Sequence, residues 1–175
     1  FTPKGPILIE IFPKHDDFAV RNVGLPGMIG ALGACFGRVV TMDSPKARPP
    51  GDFQWEATLW HELAHVITLQ MSNQRVPRWL TEGVSVFEEH RRQPAWGREL
   101  ALEFAQTVAK NTNFGVKKLP DAFKQPESLA LAYFEASLLV EHLVAMNGEA
   151  GLRTLLATYA DGAKDADAFA KAFGK

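Results

Sequence analysis

The stretch TLWHELAHVITLQ, Thr58 to Gln70, sets two imidazoles and a carboxylate on a segment that is otherwise almost wholly apolar. From Asp52 to Met71 the apolar positions are Phe53, Trp55, Ala57, Leu59, Trp60, Leu63, Ala64, Val66, Ile67 and Leu69. They leave hardly any polar face, which predicts a helix running through the interior. On such a helix His61 and His65 differ by about 40° around the axis and lie one turn apart, so their rings point the same way. Glu62 sits about 100° from His61. Burying three polar groups on one turn is costly unless each is satisfied. A divalent cation shared by the rings, with Glu62 handling the proton of a bound water, satisfies all three. The competing reading is two core histidines bonded to carbonyls and a glutamate paired with an arginine.

A catalytic zinc takes a third protein ligand and keeps a fourth position open. The segment PRWLTEGVSVFEE, Pro77 to Glu89, offers Glu82 near the start of the next predicted helix, followed by Gly83, which lets backbones approach closely. An antiparallel helix pair joined by Met71 to Val76 would bring Glu82 beside the two histidines. Taken alone, Glu82 also suits a first-turn carboxylate that complements the helix dipole.

HELAH followed by WLTEG resembles the gluzincin metallopeptidases, in particular the peptidase MA-like domains of bacteria and, more distantly, the aminopeptidase N-like enzymes. The resemblance implies His61, His65 and Glu82 as zinc ligands and Glu62 as general base. The 16 residues between His65 and Glu82 form a slightly shorter gap than in the aminopeptidases, which favours the MA-like branch. Glu89, seven residues beyond Glu82, matches a glutamate of many aminopeptidase-like helices and could hydrogen-bond a ligand histidine; a solvated residue beside Glu88 is the alternative. AYFEASLLV, Ala132 to Val140, resembles the stretch that carries an oxyanion-stabilising tyrosine, which implies Tyr133; core packing is the alternative there. One departure matters. Where the aminopeptidase branch has a Gly-Ala-Met-Glu-Asn segment whose acid grips the substrate amine, this chain reads GALGACFGRVV, with no acid. Exopeptidase action loses its support. The resemblance covers roughly Arg38 to His142 and suggests an extracytoplasmic, periplasmic or secreted, setting.

The rest of the chain frames this centre. ILIEIF, Ile7 to Phe12, is β-branched and closed by Pro13, which predicts a strand with Glu10 toward solvent or at an edge. A helical piece is expected around Asp16 to Asn22. The segment Gly24 to Gly37 holds five glycines and a proline and leads into the strand RVVTM, Arg38 to Met42; the three prolines of Ser44 to Gly51 then mark a loop. Further helices are predicted over Arg78 to Arg92 with Pro77 at its first position, Arg98 to Lys110, Glu127 to Met146, Ala150 to Ala160 and Ala166 to Phe173. The expected fold class is α+β: a small, mainly β-sheet part over about residues 1–50, then a helical bundle over about 51–175 that carries the zinc helix, zincin-like, in one domain. A chain that begins with Phe1 is expected to be a processed protein or a domain excised from a longer chain with further domains.

With a net charge of −1 and a pI near 6.6, no broad basic field exists to hold nucleic acid or an anionic bilayer. Cys35 is the single cysteine, so no disulfide forms within the chain. No uninterrupted apolar run reaches the roughly 18 residues that suggest a membrane span. These readings converge on a zinc-dependent peptidase, an endopeptidase, acting on peptide or protein substrates, with the strand Arg38 to Met42 offering its edge to an extended peptide. Two other classes compete: a zinc-containing peptide- or protein-binding domain without turnover, and a helical adaptor without metal.

Overall fold

The computed structural model describes residues 1–27 and 30–174. Among these residues there are three strands and seven α-helices: β1 (Leu8–Phe12), α1 (His15–Val23), β2 (Gly33–Phe36), β3 (Val39–Asp43), α2 (Trp55–Met71), α3 (Arg78–Arg92), α4 (Ala101–Ala109), α5 (Gly115–Ala122), α6 (Leu129–Ala160) and α7 (Asp165–Phe173). The class is α+β, with the strands first and the helices after them. Two compact units result, residues 1–67 and 68–175, and the boundary falls inside α2.

In the first unit β3 is the central strand, parallel to β1 and antiparallel to β2. This overturns the expectation that Arg38 to Met42 presents an edge: both sides of that strand are occupied, and β1 and β2 are the edges. The fourfold run of Val, Val, Thr and Met explains the placement, because Val40, Thr41 and Met42 are buried on both faces. Alternation then assigns the faces. Leu8, Glu10 and Phe12 lie opposite Val39, Thr41 and Asp43, and these side chains meet α1: Glu10 pairs with Arg21 at 2.8 Å, Phe12 meets Phe18 edge-on at 6.3 Å, and Thr41 donates to Asn22 at 2.8 Å. Glu10 thus stands at an edge, as predicted, but is ion-paired. The other face carries Val40, Met42 and their partners Cys35 and Gly33, and it meets α2, since a Cβ at Gly33 would fall 2.7 Å from the Thr58 methyl.

Strand β2 was not legible in the glycine-rich segment, two residues of which, 28 and 29, lie outside those described. It pairs through Gly37 and Arg38, with Gly37 at φ 72° and the Arg38 N–H donating to the Phe36 carbonyl at 2.9 Å. Within the loop Ser44 to Gly51 the residues Pro45–Ala47 form one 3₁₀ turn, because Pro45 supplies a helical φ at its start.

In the second unit the core is built by α3, α5, α6 and α7 around Trp79, Leu80, Leu119, Val140, Leu155 and Leu156. Pro77 stands one residue before α3 rather than at its first position, its carbonyl accepting from the N–H groups of Leu80 and Thr81 at 3.0 and 3.1 Å. The two helices predicted over Glu127 to Ala160 form one element, broken where expected: Asn147 and Gly148 leave helical geometry, with Gly148 at φ 64°. By length and composition alone Pro126–Ala160 is long and apolar enough to cross a membrane; Ala132, Ala136, Val140, Leu152 and Leu155 from it line the core. Helix α5, unforeseen because Gly115 opens it and Pro120 sits inside it, is anchored by Glu135. That buried carboxylate accepts the Phe114 N–H at 2.9 Å and the Gly115 N–H at 2.6 Å.

Helices α3 and α6 touch at backbone distance. A Cβ on Gly83 would lie 2.7 Å from the Ala136 carbonyl oxygen and 2.9 Å from its carbon, so only glycine fits without moving a helix. Gly83→Val is expected to destabilise the protein by about 1–3 kcal/mol through overpacking, read as a lowered midpoint in urea with an unchanged slope.

Candidate metal centre

Helix α2 positions the first three groups by its periodicity alone. The Nε2 atoms of His61 and His65 are 3.0 Å apart, with ring centroids 4.7 Å apart and planes at 74°. Two nitrogens bound to one tetrahedral zinc stand about 3.3 Å apart, given Zn–N of about 2.0–2.1 Å. The rings therefore converge nearly as that ion requires. His65 and Glu62 are buried, and His61 is half-buried.

Glu62 leans on the sheet. A Cβ at Gly33 would fall 2.8 Å from its Oε1 and 2.9 Å from its Cγ, so β2 runs against this side chain only because position 33 carries no side chain. Cys35, two residues along the same face, feels the carboxylate too: burial first, then the Glu62 charge, pushes its thiol up to about 12.

Glu82 arrives from α3. The last turn of α2 is tied to the first turn of α3 by a buried Thr68–Thr81 hydroxyl pair at 2.7 Å, one turn beyond His65 and one residue before Glu82. One ligand atom from each of His61, His65 and Glu82 lies within 4.8 Å of the others. Around Glu82 stand two further side chains. The Arg78 Nε is 3.5 Å from Glu82 Oε1, one turn back on α3. The Tyr133 hydroxyl donates to the Glu82 carboxylate and accepts from Arg78; burial first, then the Glu82 charge, pushes that phenol up to about 12. Phe123, just past α5, completes the surround: its carbonyl accepts from Arg78 Nη1 at 3.0 Å, its ring lies under the guanidinium at 5.4 Å, and it meets Tyr133 edge-on at 5.1 Å.

Of the residues singled out in the sequence, His61, His65 and Glu82 are brought together, Glu62 lies on the same turn of α2, and Tyr133 reaches Glu82. Glu89 is half-buried two turns further along α3 and is not in the ligand group. Gly33, Arg78 and Phe123 were missed. Arg78 was the most findable, since a basic residue four before an acid on a helix is a recognisable pair. Gly33 and Phe123 carry no signal beyond residue type.

A sequence profile of the Peptidase MA superfamily matches residues 49–175. No curated protein and no solved structure is significantly similar to the chain. Peptidases of this superfamily are typically zinc-dependent, and His61, His65 and Glu82 form a group able to hold a metal ion. The matched span contains α2 with HELAH, α3 with WLTEG and Tyr133 on α6. With the profile covering most of its length, the chain belongs to the Peptidase MA superfamily.

Proposed function

We propose that the protein is a zinc-dependent endopeptidase of the gluzincin type, zincin-like in fold and distantly similar to the aminopeptidase N-like enzymes. One observation carries the reading: two imidazole nitrogens 3.0 Å apart and a carboxylate from the next helix gather within 4.8 Å. His61, His65 and Glu82 hold the ion. A bound zinc supplies a Lewis acid that polarises a peptide carbonyl and acidifies water. Glu62 takes the proton of the attacking water and returns it to the departing amine, a role suited to a carboxylate on the ligand turn that is itself not a ligand. Tyr133, whose hydroxyl proton faces Glu82 in the resting arrangement, turns that proton to the oxyanion as the charge develops.

An extended peptide is held along β2, the edge strand that runs past Glu62, by main-chain hydrogen bonds that read no particular side chain. The bare Gly33 keeps that strand close. GALGACFGRVV carries no acid where the aminopeptidase-like branch grips a free amino terminus, so exopeptidase action lacks that support.

Glu62→Gln is expected to retain zinc while losing a factor of about 10²–10⁴ in kcat on an unfolded protein substrate, with product peptides counted by mass spectrometry. If wild type and Glu62→Gln are equally inert and both retain zinc, the domain binds peptides without turning them over. Zinc at about 100 times its Kd is expected to stabilise the chelator-stripped protein by about 2.7 kcal/mol, and Glu82→Ala to remove most of that gain in the same thermal scan. Gly33→Val, which forces Glu62 aside, is expected to lower kcat with zinc affinity unchanged, both measured on one preparation.

A further inference from the structure

Glu82 is a ligand with a neighbour that the proposed chemistry does not use. Arg78 stands 56% exposed at its side chain, yet it is held on three sides. The Phe123 carbonyl accepts from Nη1 at 3.0 Å, the Phe123 ring lies 5.4 Å from its central carbon, and the Tyr133 oxygen accepts another of its donors. A guanidinium spends its donors in a rigid planar fork, so fixing two directions fixes the third. That third direction faces Glu82. At 3.5 Å the Nε–Oε1 contact is too long for a good hydrogen bond and acts as an ion pair. The Tyr133 hydroxyl is a second partner of the carboxylate, and Arg78 occupies the other side of the phenol oxygen.

We propose that Arg78 is a positioning residue of the metal centre: fixed by Phe123 at the end of α5, it orients the Glu82 carboxylate and the Tyr133 hydroxyl as one unit. This rests on the reading of His61, His65 and Glu82 as ligands. The chain supplies both halves of the reason. Glu82 projects from a helix and has freely rotating side-chain bonds, so without an outer partner its oxygens sample orientations that do not meet the rings. Outer partners of metal ligands characteristically carry a 10–100-fold share of metal affinity. Lysine cannot replace Arg78, because an ammonium is a point charge without the fork that bonds Phe123 and Tyr133 at once.

The test measures zinc affinity by competition with a chromophoric chelator, which needs no turnover, in wild type, Arg78→Met, Arg78→Lys, Tyr133→Phe and the Arg78→Met/Tyr133→Phe pair, with folding followed by circular dichroism. Arg78→Met is expected to bind zinc 10–100-fold more weakly while folded, Arg78→Lys to recover only part of the loss, and the double variant to lose less than the product of the single losses, since both act through Glu82. Zinc affinity equal to wild type in folded Arg78→Met overturns the proposal and leaves the ligand assignment standing. Should Arg78→Met fail to fold, wild-type affinity in Arg78→Lys overturns it, and strictly multiplicative losses do the same. Wild-type protein that binds no zinc removes the ligand assignment itself, and this proposal with it.

Discussion

Polar groups on one turn of an apolar helix set the terms for everything around them. His61, Glu62 and His65 lie on a mostly apolar helix, and for the buried Glu62 and His65 an unsatisfied polar group costs a few kcal/mol, comparable with a sizeable fraction of a domain's net stability. The surrounding fold supplies partners or room for these groups at each step. Thr68 and Thr81 fasten the end of α2 to the start of α3, so Glu82 follows one residue later in a defined direction. Gly83 then lets α3 approach the α6 backbone, the same helix that brings Tyr133 to Glu82. The WLTEG segment thus combines Glu82, the glycine that allows its helix to seat, and Trp79 and Leu80, which anchor it in the core.

The sheet contributes by what it lacks. Position 33 sits on the face of β2 that meets α2, and any side chain there would collide with Thr58 and Glu62. Glycine is a poor strand residue, so its use in a four-residue strand runs against propensity. The pairing with β3 and the hairpin turn at Gly37 hold β2 in place despite it.

That conflict explains much of what the sequence concealed. The spans of α2, α3 and α7 and the break at Asn147–Gly148 were legible because apolar patterning and helix-stopping residues agreed with the final elements, but α2 does not run through the interior as expected, since its Trp55, Trp60 and Ile67 side chains stand exposed. β2 and α5 were not, because in each the local signal contradicted the final state: glycine in a strand, and glycine and proline in a helix. α5 begins where it does because Glu135, distant in sequence, accepts the N–H groups of Phe114 and Gly115. The centre divides the same way. His61, Glu62 and His65 announce themselves through spacing on α2 and Glu82 through the WLTEG run on α3, whereas Arg78 acquires its surroundings only when Phe123 and Tyr133 reach it from other elements.

Buried carboxylates elsewhere in the chain show why the outer partners of Glu82 take the form they do. Asp43, fully buried at the end of β3, is held by the His15 ring at 2.9 Å and Arg48 at 3.2 Å, through one oxygen. Glu135 spends both oxygens on backbone N–H groups. Glu135, with both oxygens filled, is immobilised in a way that suits a structural role and leaves no oxygen for an ion, whereas Asp43 keeps Oδ1 without a hydrogen bond but shut away from solvent. A carboxylate that must give an oxygen to a metal cannot accept tight bonds from every side; it needs a partner that orients it and leaves a lone pair available. A phenol donating one proton, beside a guanidinium whose Nε lies 3.5 Å from the carboxylate, constrains direction without saturating the acceptor. The looseness of the Arg78 contact is therefore what the proposed ligand role of Glu82 requires, since a closer, forked ion pair there would compete with an ion for the same oxygens.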